Sequence, residues 1–239
     1  MDYHDVLAAF GAGSAHPGGF KGTSFWMDRL QLKEGTQVLE VGCGTGRTAC
    51  ALAQKFHVKV IGIDIRQAMV EKAMKRAQMM SLDPIFILTD HPNVLPFPDQ
   101  SFDLVVAESV TVFNQIEALV SEYYRVLRPS GQLIDTEMAA SSPLSPEILT
   151  EVQDLYGATR VPTLKEWKTI YQTAGFRLVQ TIISGPVREV DMQSEVHDGM
   201  AVVSQEAFSK EASAIVDHNL NFMLNKGKWF QYGVFQAFQ

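Results

Sequence analysis

The sequence predicts a doubly wound α/β fold, a mostly parallel sheet with helices on both faces, and three observations predict it. Short apolar runs alternate with helical periods over most of the 239 residues, the pattern of parallel strands covered on both sides. The run Val38-Leu-Glu-Val41 ends in a turn with glycines at 42, 44 and 46 and leads into a helical pattern. Such a join, at the carboxyl end of a strand, is where open sheets bind nucleotide-like ligands. Asp64 then closes the second strand, where a carboxylate with two acceptor oxygens can take both hydroxyl protons of a ribose.

Taken in order, the apolar runs place strands at Gln37–Val41, Val58–Ile63, Ile85–Leu88, Phe102–Ala107, Gln132–Ile134 and Arg177–Ile183, with a last strand at Trp229–Phe238. The Thr45–Phe56 stretch reads as the helix after the glycine turn. Ile116, Leu119, Val120, Tyr123 and Leu127 recur at three- and four-residue spacing and make one apolar stripe on a helix. Asn114 with Glu117 predicts its N-cap, and Pro129 with Gly131 its stop. Thr163 with Glu166 opens a further helix that Gly175 closes. Asp99 and Asp103 read as turn caps around the fourth strand.

Two regions depart from this alternation. Up to about Leu32, Gly11, Gly13, Gly18 and Gly19 surround His16-Pro17 and interrupt two short helical patterns. From Pro186 to Lys228 there is an amphipathic stretch, about Ser204 to Leu224. If the last two strands pair as an antiparallel hairpin, that stretch is an insertion on the sheet edge. No repeat or linker divides the chain. The expected organisation is therefore a single domain, with an N-terminal helical lid (1–32), a core (33–185), an edge insertion (186–228) and the last strand (229–239).

Composition narrows the setting. A chain with 46% hydrophobic and 20% charged residues can build a full core without staples. Its two cysteines, Cys43 and Cys50, lack partners at metal spacing, which predicts no metal site and a reduced, cytoplasmic protein. No apolar run approaches the roughly 20 residues of a membrane span. The acidic start Met1-Asp-Tyr-His-Asp5 lacks the basic region of an export signal. With a net charge of −7 and no block of Lys or Arg, nucleic acid is not the expected partner. The oligomeric state is not written in the chain.

The glycine spacing separates two ligand classes. In the dinucleotide pattern G-x-G-x-x-G, the third glycine would fall on Arg47. The chain instead has G-x-G-x-G, preceded by Glu40. A carboxylate there suits a ligand with a cationic amine and opposes a pyrophosphate. Asp90 follows the third strand where an adenine amino group could be met. Three carboxylates and the turn make a pocket for a nucleoside with a positive substituent. Glu108 and Ser109 end the central fourth strand, where they could meet cofactor or substrate, and His16 is a candidate base or lid contact. Cys43, the methionines at 74, 79 and 80, and the set Phe208, Ile215, Phe222 and Met223 read as packing.

Val38–Arg47, Val60-Ile-Gly-Ile-Asp64, Asp90 with Leu95-Pro-Phe-Pro-Asp-Gln-Ser-Phe-Asp-Leu-Val105, and Tyr124-Arg-Val-Leu-Arg-Pro-Ser-Gly-Gln132 resemble the four sequence blocks of class I S-adenosylmethionine-dependent methyltransferases, in order and spacing. The resemblance spans about Thr36 to Phe176 and is to the ubiquinone-biosynthesis-like group that methylates small molecules. It implies a Rossmann-like sheet of seven strands with an antiparallel last strand, and S-adenosylmethionine as cofactor. It also implies that Glu40, Gly42, Cys43, Gly44 and Gly46 line the methionine end, Asp64 and Ile65 the ribose, and Asp90 with His91 the adenine, with Glu108 near the sulfonium. Two segments depart from the group: Thr89-Asp90-His91-Pro92 replaces the usual Gly-Asp-Ala, and Ala107-Glu-Ser-Val-Thr-Val-Phe113 replaces a histidine-containing turn.

Methyl transfer is an in-line displacement in which orientation and desolvation supply most of the rate. A base is needed only when the acceptor must lose a proton, and no catalytic residue is plain beyond the candidates His16 and Glu108. Two other readings stand beside it. One is a nicotinamide-dependent oxidoreductase, which Arg47 and Glu40 oppose, and the other a non-catalytic S-adenosylmethionine-binding protein. The acceptor, and whether its O, N, S or C is methylated, is not legible.

Overall fold

The computed structural model describes residues 1–187 and 199–239. Its strands are β1 (Gln37–Val41), β2 (Lys59–Asp64), β3 (Ile85–Leu88), β4 (Phe102–Glu108), β5 (Leu127–Ala140), β6 (Leu178–Pro186) and β7 (Phe230–Phe238). They form one sheet in the order β3-β2-β1-β4-β5-β7-β6. The first five run parallel, and β7 inserts antiparallel between β5 and β6. The hairpin of the last two strands is therefore present, as are the doubly wound sheet and its reversed last strand.

Helices α1 (Tyr3–Phe10), α2 (Gly19–Met27), α3 (Arg47–Phe56), α4 (Gln67–Met79), α5 (Ile116–Val126), α6 (Pro146–Tyr156), α7 (Leu164–Thr173) and α8 (Lys210–Lys226) surround the sheet. Strand periodicity decides which layer each residue joins. Val38, Leu104 and Val106 pack with Trp26 of α2 and Leu52 of α3. Leu39 and Val105, one residue along, pack with Leu119 and Tyr123 of α5 and Trp167 and Tyr171 of α7. Burying each such large side chain contributes about 1.5–3 kcal/mol.

Helix starts follow their caps. Asp2 and Asp5 form a capping box on α1, and Thr163 and Glu166 form the one expected on α7. The expected cap at Asn114 is corrected. Residues Thr111–Phe113 make a short 3-10 turn, the Asn114 side chain donates to the Val110 carbonyl, and Gln115 becomes the N-cap of α5. Asn93 Oδ1 accepts the Gln115 N–H at 2.9 Å instead. Asp103 accepts the Gln37 N–H at 2.8 Å and pairs with Arg128, joining β1, β4 and the start of β5.

β5 runs well past the expected Gln132–Ile134, because β7 pairs with it from Gln132 to Ala140. The sequence pattern breaks at Asp135 and Glu137, yet both carboxyls are fully buried. Asp135 accepts from Thr111 Oγ1 and Tyr171 OH, each at 2.9 Å. Glu137 accepts the backbone N–H groups of Val110, Thr111 and Val112 at 2.9, 2.7 and 3.2 Å. The turn after β4 thus hangs from an internal carboxylate.

Of the expected edge insertion between β6 and β7, residues 188–198 lie outside the described residues. α8 leaves the sheet edge and packs against α1, with Phe222 in ring contact with Tyr156 at 5.8 Å and Phe230 at 5.6 Å. Among the described residues, no helix is long and apolar enough to cross a membrane.

Candidate functional site

A cavity of about 400 Å³ opens at the carboxyl ends of β1, β2 and β4. The glycine turn forms its floor. Cys43 N donates to the Ile63 carbonyl at 2.9 Å and Gly46 N to the Cys43 carbonyl at 2.8 Å, which folds the turn between β1 and β2. Gly44 has φ +51°, and a Cβ there would meet no atom within 4 Å. A Cβ on Gly42 would collide with the Val110 side chain, so that glycine admits the turn after β4.

Asp64 fastens this floor. Its Oδ2 accepts the Gly44 N–H and its Oδ1 the Arg66 N–H, both at 2.9 Å. Burial raises its carboxyl while these hydrogen bonds act against the shift. Spare lone pairs remain for donors from the cavity. Glu40 is 4% exposed, and its Oε2 has no hydrogen-bond partner among the described residues. Burial, then the charge of Glu108, pushes its carboxyl well above the usual range, against a hydrogen bond from the Ala49 N–H. A buried carboxyl oxygen left in this state is stabilised by a donor or cation that enters the cavity.

Of the residues expected at the site, the structure gathers Glu40, Gly42, Cys43, Gly44, Asp64, Ile65, Glu108 and His16 around one cavity. Three others stand apart. Gly46 makes room for protein, since its Cβ would lie 2.8 Å from both Ala73 Cβ and Phe86 Cζ. Asp90 and His91 project into solvent beside one another, 3.4 Å apart with side chains 90% and 75% exposed. Their neighbours Thr89 and Pro92 line the cavity in their place. Cys43 is buried, and its thiol is pushed well above the usual range by burial, so it is a packing group and a poor nucleophile.

The two catalytic candidates are tied into structure. Glu108 Oε1 accepts from Thr23 Oγ1 at 2.8 Å and Trp26 Nε1 at 3.1 Å, and its Oε2 accepts from Thr48 Oγ1 at 2.8 Å. His16 places Nε2 3.2 Å from Thr23 Oγ1 and Nδ1 3.2 Å from the Pro17 carbonyl. Both groups therefore pin α2 and the Gly11–Gly18 segment onto the end of β4. Ser109 follows with φ +56°, its N–H held at 2.7 Å by the Thr136 carbonyl. A non-glycine residue in this region is strained, and such strain gathers at sites.

The far wall is made by Asn114, expected as a helix cap, and by residues that sequence reasoning gave no role: Tyr3, His4, Phe113, Met138, Tyr156 and Asn219. Met223, expected as packing, joins the lining. Tyr156 OH donates to Asn219 Oδ1 at 2.5 Å, linking α6 to α8 across the cavity. The only local signal was an aromatic pair, Tyr3-His4, at the start of a short amphipathic helix.

Comparison with known proteins gives concordant results. The family described as methyltransferase domain matches residues 38–131. An uncharacterized methyltransferase of Bacillus subtilis, YodH, is 31% identical over 75% of this chain and 76% of its own length. An uncharacterized protein of Haemophilus influenzae is 31% identical over 82% of this chain and 79% of its own. Among solved structures, the phosphoethanolamine N-methyltransferase 2 of Haemonchus contortus, in complex with S-adenosylmethionine, superposes with a TM-score of 0.73. That match has 20% identity and covers 99% of this chain and 57% of the other.

Proposed function

Because the chain belongs to the class I S-adenosylmethionine-dependent methyltransferases, we propose that it methylates a small-molecule acceptor held between the glycine turn and the α1–α8 wall. The cofactor fits the residues present. The unpartnered Oε2 of buried Glu40 asks for a cationic amine, and Gly44 leaves open the space that a Cβ would enter. Of these, the Glu40 oxygen is the observation that carries the reading: a pyrophosphate beside it would add like charge, whereas an amino-acid ammonium removes its cost. When bound, S-adenosylmethionine supplies a methyl carbon made electrophilic by its sulfonium.

The chain's own residues bind, orient and exclude water. Glu40 and the Gly42–Gly44 backbone hold the methionine end, and Asp64 with Ile65 the ribose. Thr89 and Pro92 flank the base in place of the Asp90 and His91 side chains. α1, the segment pinned by His16 and Glu108, and α8 form the lid of a single domain. Their apolar cover desolvates the reacting atoms, and holding two reactants in line is worth up to roughly 7–11 kcal/mol. The two buried free cysteines and the net charge of −7 support a reduced, cytoplasmic setting and a partner other than nucleic acid.

Calorimetric titration with S-adenosylmethionine, S-adenosylhomocysteine and NAD tests this reading. Both adenosyl ligands should bind and NAD should not, and Asp64→Ala should weaken the adenosyl ligands. Binding of NAD with no response to either sulfur ligand would overturn it.

A further inference from the structure

The turn after β4 brings Ser109, Val110, Phe113 and Asn114 to the cavity, and its shape is set from behind the sheet. Ser109 is held at φ +56° with its N–H on the Thr136 carbonyl. Glu137 Oε1 accepts the N–H groups of Val110 and Thr111 at 2.9 and 2.7 Å, and its Oε2 accepts that of Val112 at 3.2 Å. Those bonds seat the Val110 side chain on the floor of the site, where a Cβ added to Gly42 would lie 2.3 Å from Val110 Cγ2. Asp135 and Glu137 are fully buried, and neither lines the cavity. Two carboxyls out of reach of any ligand there thus fix the wall that a ligand meets.

Alternate residues of a strand share a face, which sets Asp135 beside Glu137. A chain of hydroxyls converges on them: Tyr171 OH and Thr111 Oγ1 donate to Asp135 Oδ2, each at 2.9 Å, and Tyr123 OH lies 3.1 Å from Thr111 Oγ1. The pair is faced by Glu108 from β4, Thr111 from the turn, Tyr123 from α5 and Tyr171 from α7, while β7 sets Phe235 and Gly233 opposite. None of these is a cation. Desolvation therefore raises both carboxyls; bonds from Thr111, Tyr171 and Glu137 oppose it at Asp135, and at Glu137 the charge of Asp135 adds to it against the three N–H bonds. Two carboxyls in this state titrate as one unit. A lost proton leaves a charge that the closed turn does not solvate, whereas an opened turn admits water to it. By linkage, proton loss favours the open form.

We propose that Asp135 and Glu137 are a proton-gated positioning pair: protonated, they hold the 109–113 turn against the glycine floor and keep the cofactor site formed, and on losing a proton they release it. Cofactor affinity then follows the protonation of groups that touch no ligand. Only the held form binds, so the apparent dissociation constant rises as its population falls. The inference rests on the methyl-transfer reading above.

Calorimetry with S-adenosylhomocysteine between about pH 6 and pH 8, on the wild type and on Asp135→Asn, tests it. The cavity carboxyls are the same in both proteins, so the ratio of the two affinities isolates the pair. Relative to Asp135→Asn, the wild type should lose affinity at least about threefold over that range, and at most about tenfold per pH unit. Glu137→Met keeps the bulk and strands the three N–H groups, and should weaken binding per folded molecule at least about tenfold at the acid end of the range. Glu137→Gln keeps an oxygen for Val110 and Thr111 and an N–H for Asp135, and should restore affinity to within about threefold of wild type. Val126→Ala, a buried change at the far end of α5, destabilises the fold without reaching the turn and should bind like wild type. No binding at any pH overturns the methyl-transfer reading and this inference with it. A constant ratio, undiminished binding in Glu137→Met, no restoration in Glu137→Gln, or an equal loss in Val126→Ala overturns the inference alone. Should a variant fail to fold, amide exchange of the wild type decides: relative to β1, protection of the Val110, Thr111 and Val112 amides should fall as pH rises over the same range, and unchanged protection overturns the proposal.

Discussion

Gly44→Ala and Gly46→Ala should separate the two jobs of the glycine turn. Both positions have positive φ, +51° and +73°, and an L-residue there costs about 1–2 kcal/mol. Losing a glycine's freedom in the unfolded chain returns about 0.4–1 kcal/mol. Gly44→Ala meets no atom within 4 Å, so its net destabilisation is about 0–1.6 kcal/mol. Its methyl group nevertheless enters space on the cavity floor, and S-adenosylhomocysteine affinity should fall at least about tenfold, or 1.4 kcal/mol. Gly46→Ala forces a carbon to 2.8 Å from Ala73 Cβ and Phe86 Cζ. Overpacking of that kind adds about 1–3 kcal/mol, for a total near 2–4 kcal/mol, with little change in affinity per folded molecule. Urea denaturation and calorimetry on the two variants read both quantities. The reasoning fails if Gly44→Ala binds like wild type, or if Gly46→Ala loses affinity while keeping full stability.

Three further outcomes follow from the same contacts. Asp64→Ala removes the acceptor of two backbone N–H groups as well as the ribose contact; stability should fall by about 1–3 kcal/mol per stranded donor and S-adenosylhomocysteine affinity by about ten- to a hundredfold. Undiminished binding by calorimetry would remove Asp64 from the site. Glu108→Gln keeps one oxygen for Thr23 and Trp26 and an amide for Thr48, so it should cost about 1–2 kcal/mol and leave turnover within about tenfold, whereas Glu108→Ala strands three donors. A loss of turnover in Glu108→Gln of about 10²-fold or more would make Glu108 a participant in chemistry. The buried Asp135 carboxyl is pushed up to about 7 by desolvation, and Glu137 beside it well above the usual range, mainly for the same reason. The native chain therefore holds protons that the unfolded chain releases: this contribution is complete below the ordinary carboxylate pKa and is lost as pH rises through about 7. Urea midpoints should fall from pH 5 to pH 8, by at most about 1.4 kcal/mol per pH unit for one group, and Asp135→Asn should flatten the profile. A wild-type profile already flat over that range would contradict it.

Most of the sheet was legible because its strands are buried on both faces and read as apolar runs. β1 and β3 have their expected bounds, β4 runs one residue further, and β2 is shifted by one residue at both ends. β5 was cut short because Asp135 and Glu137 look like surface residues. Only the structure supplies Thr111, Tyr171 and the three N–H groups that make their burial tolerable. That the glycine turn, Glu40 and Asp64 meet at one cavity was legible because their positions are local to strand ends. Asp90 and His91 share that local logic, and the chain turns after Thr89 so that both side chains lie at the surface beside the cavity. Glu108 and His16 were found as residues, but their partners Thr23, Trp26 and Thr48 were not, because those are distant in sequence. The far wall of the cavity was illegible because it joins α1, the turn after β4, α6 and α8, and no local pattern announces a contact among four such segments.

A crystal structure with S-adenosylhomocysteine tests the central claim most directly. The ligand should lie over Gly42–Gly44 with its amino group at Glu40 Oε2 and its ribose hydroxyls on Asp64, leaving the space against the α1–α8 wall for the acceptor. The same ligand seated away from the glycine turn, or with its amino group facing away from Glu40, would contradict the account.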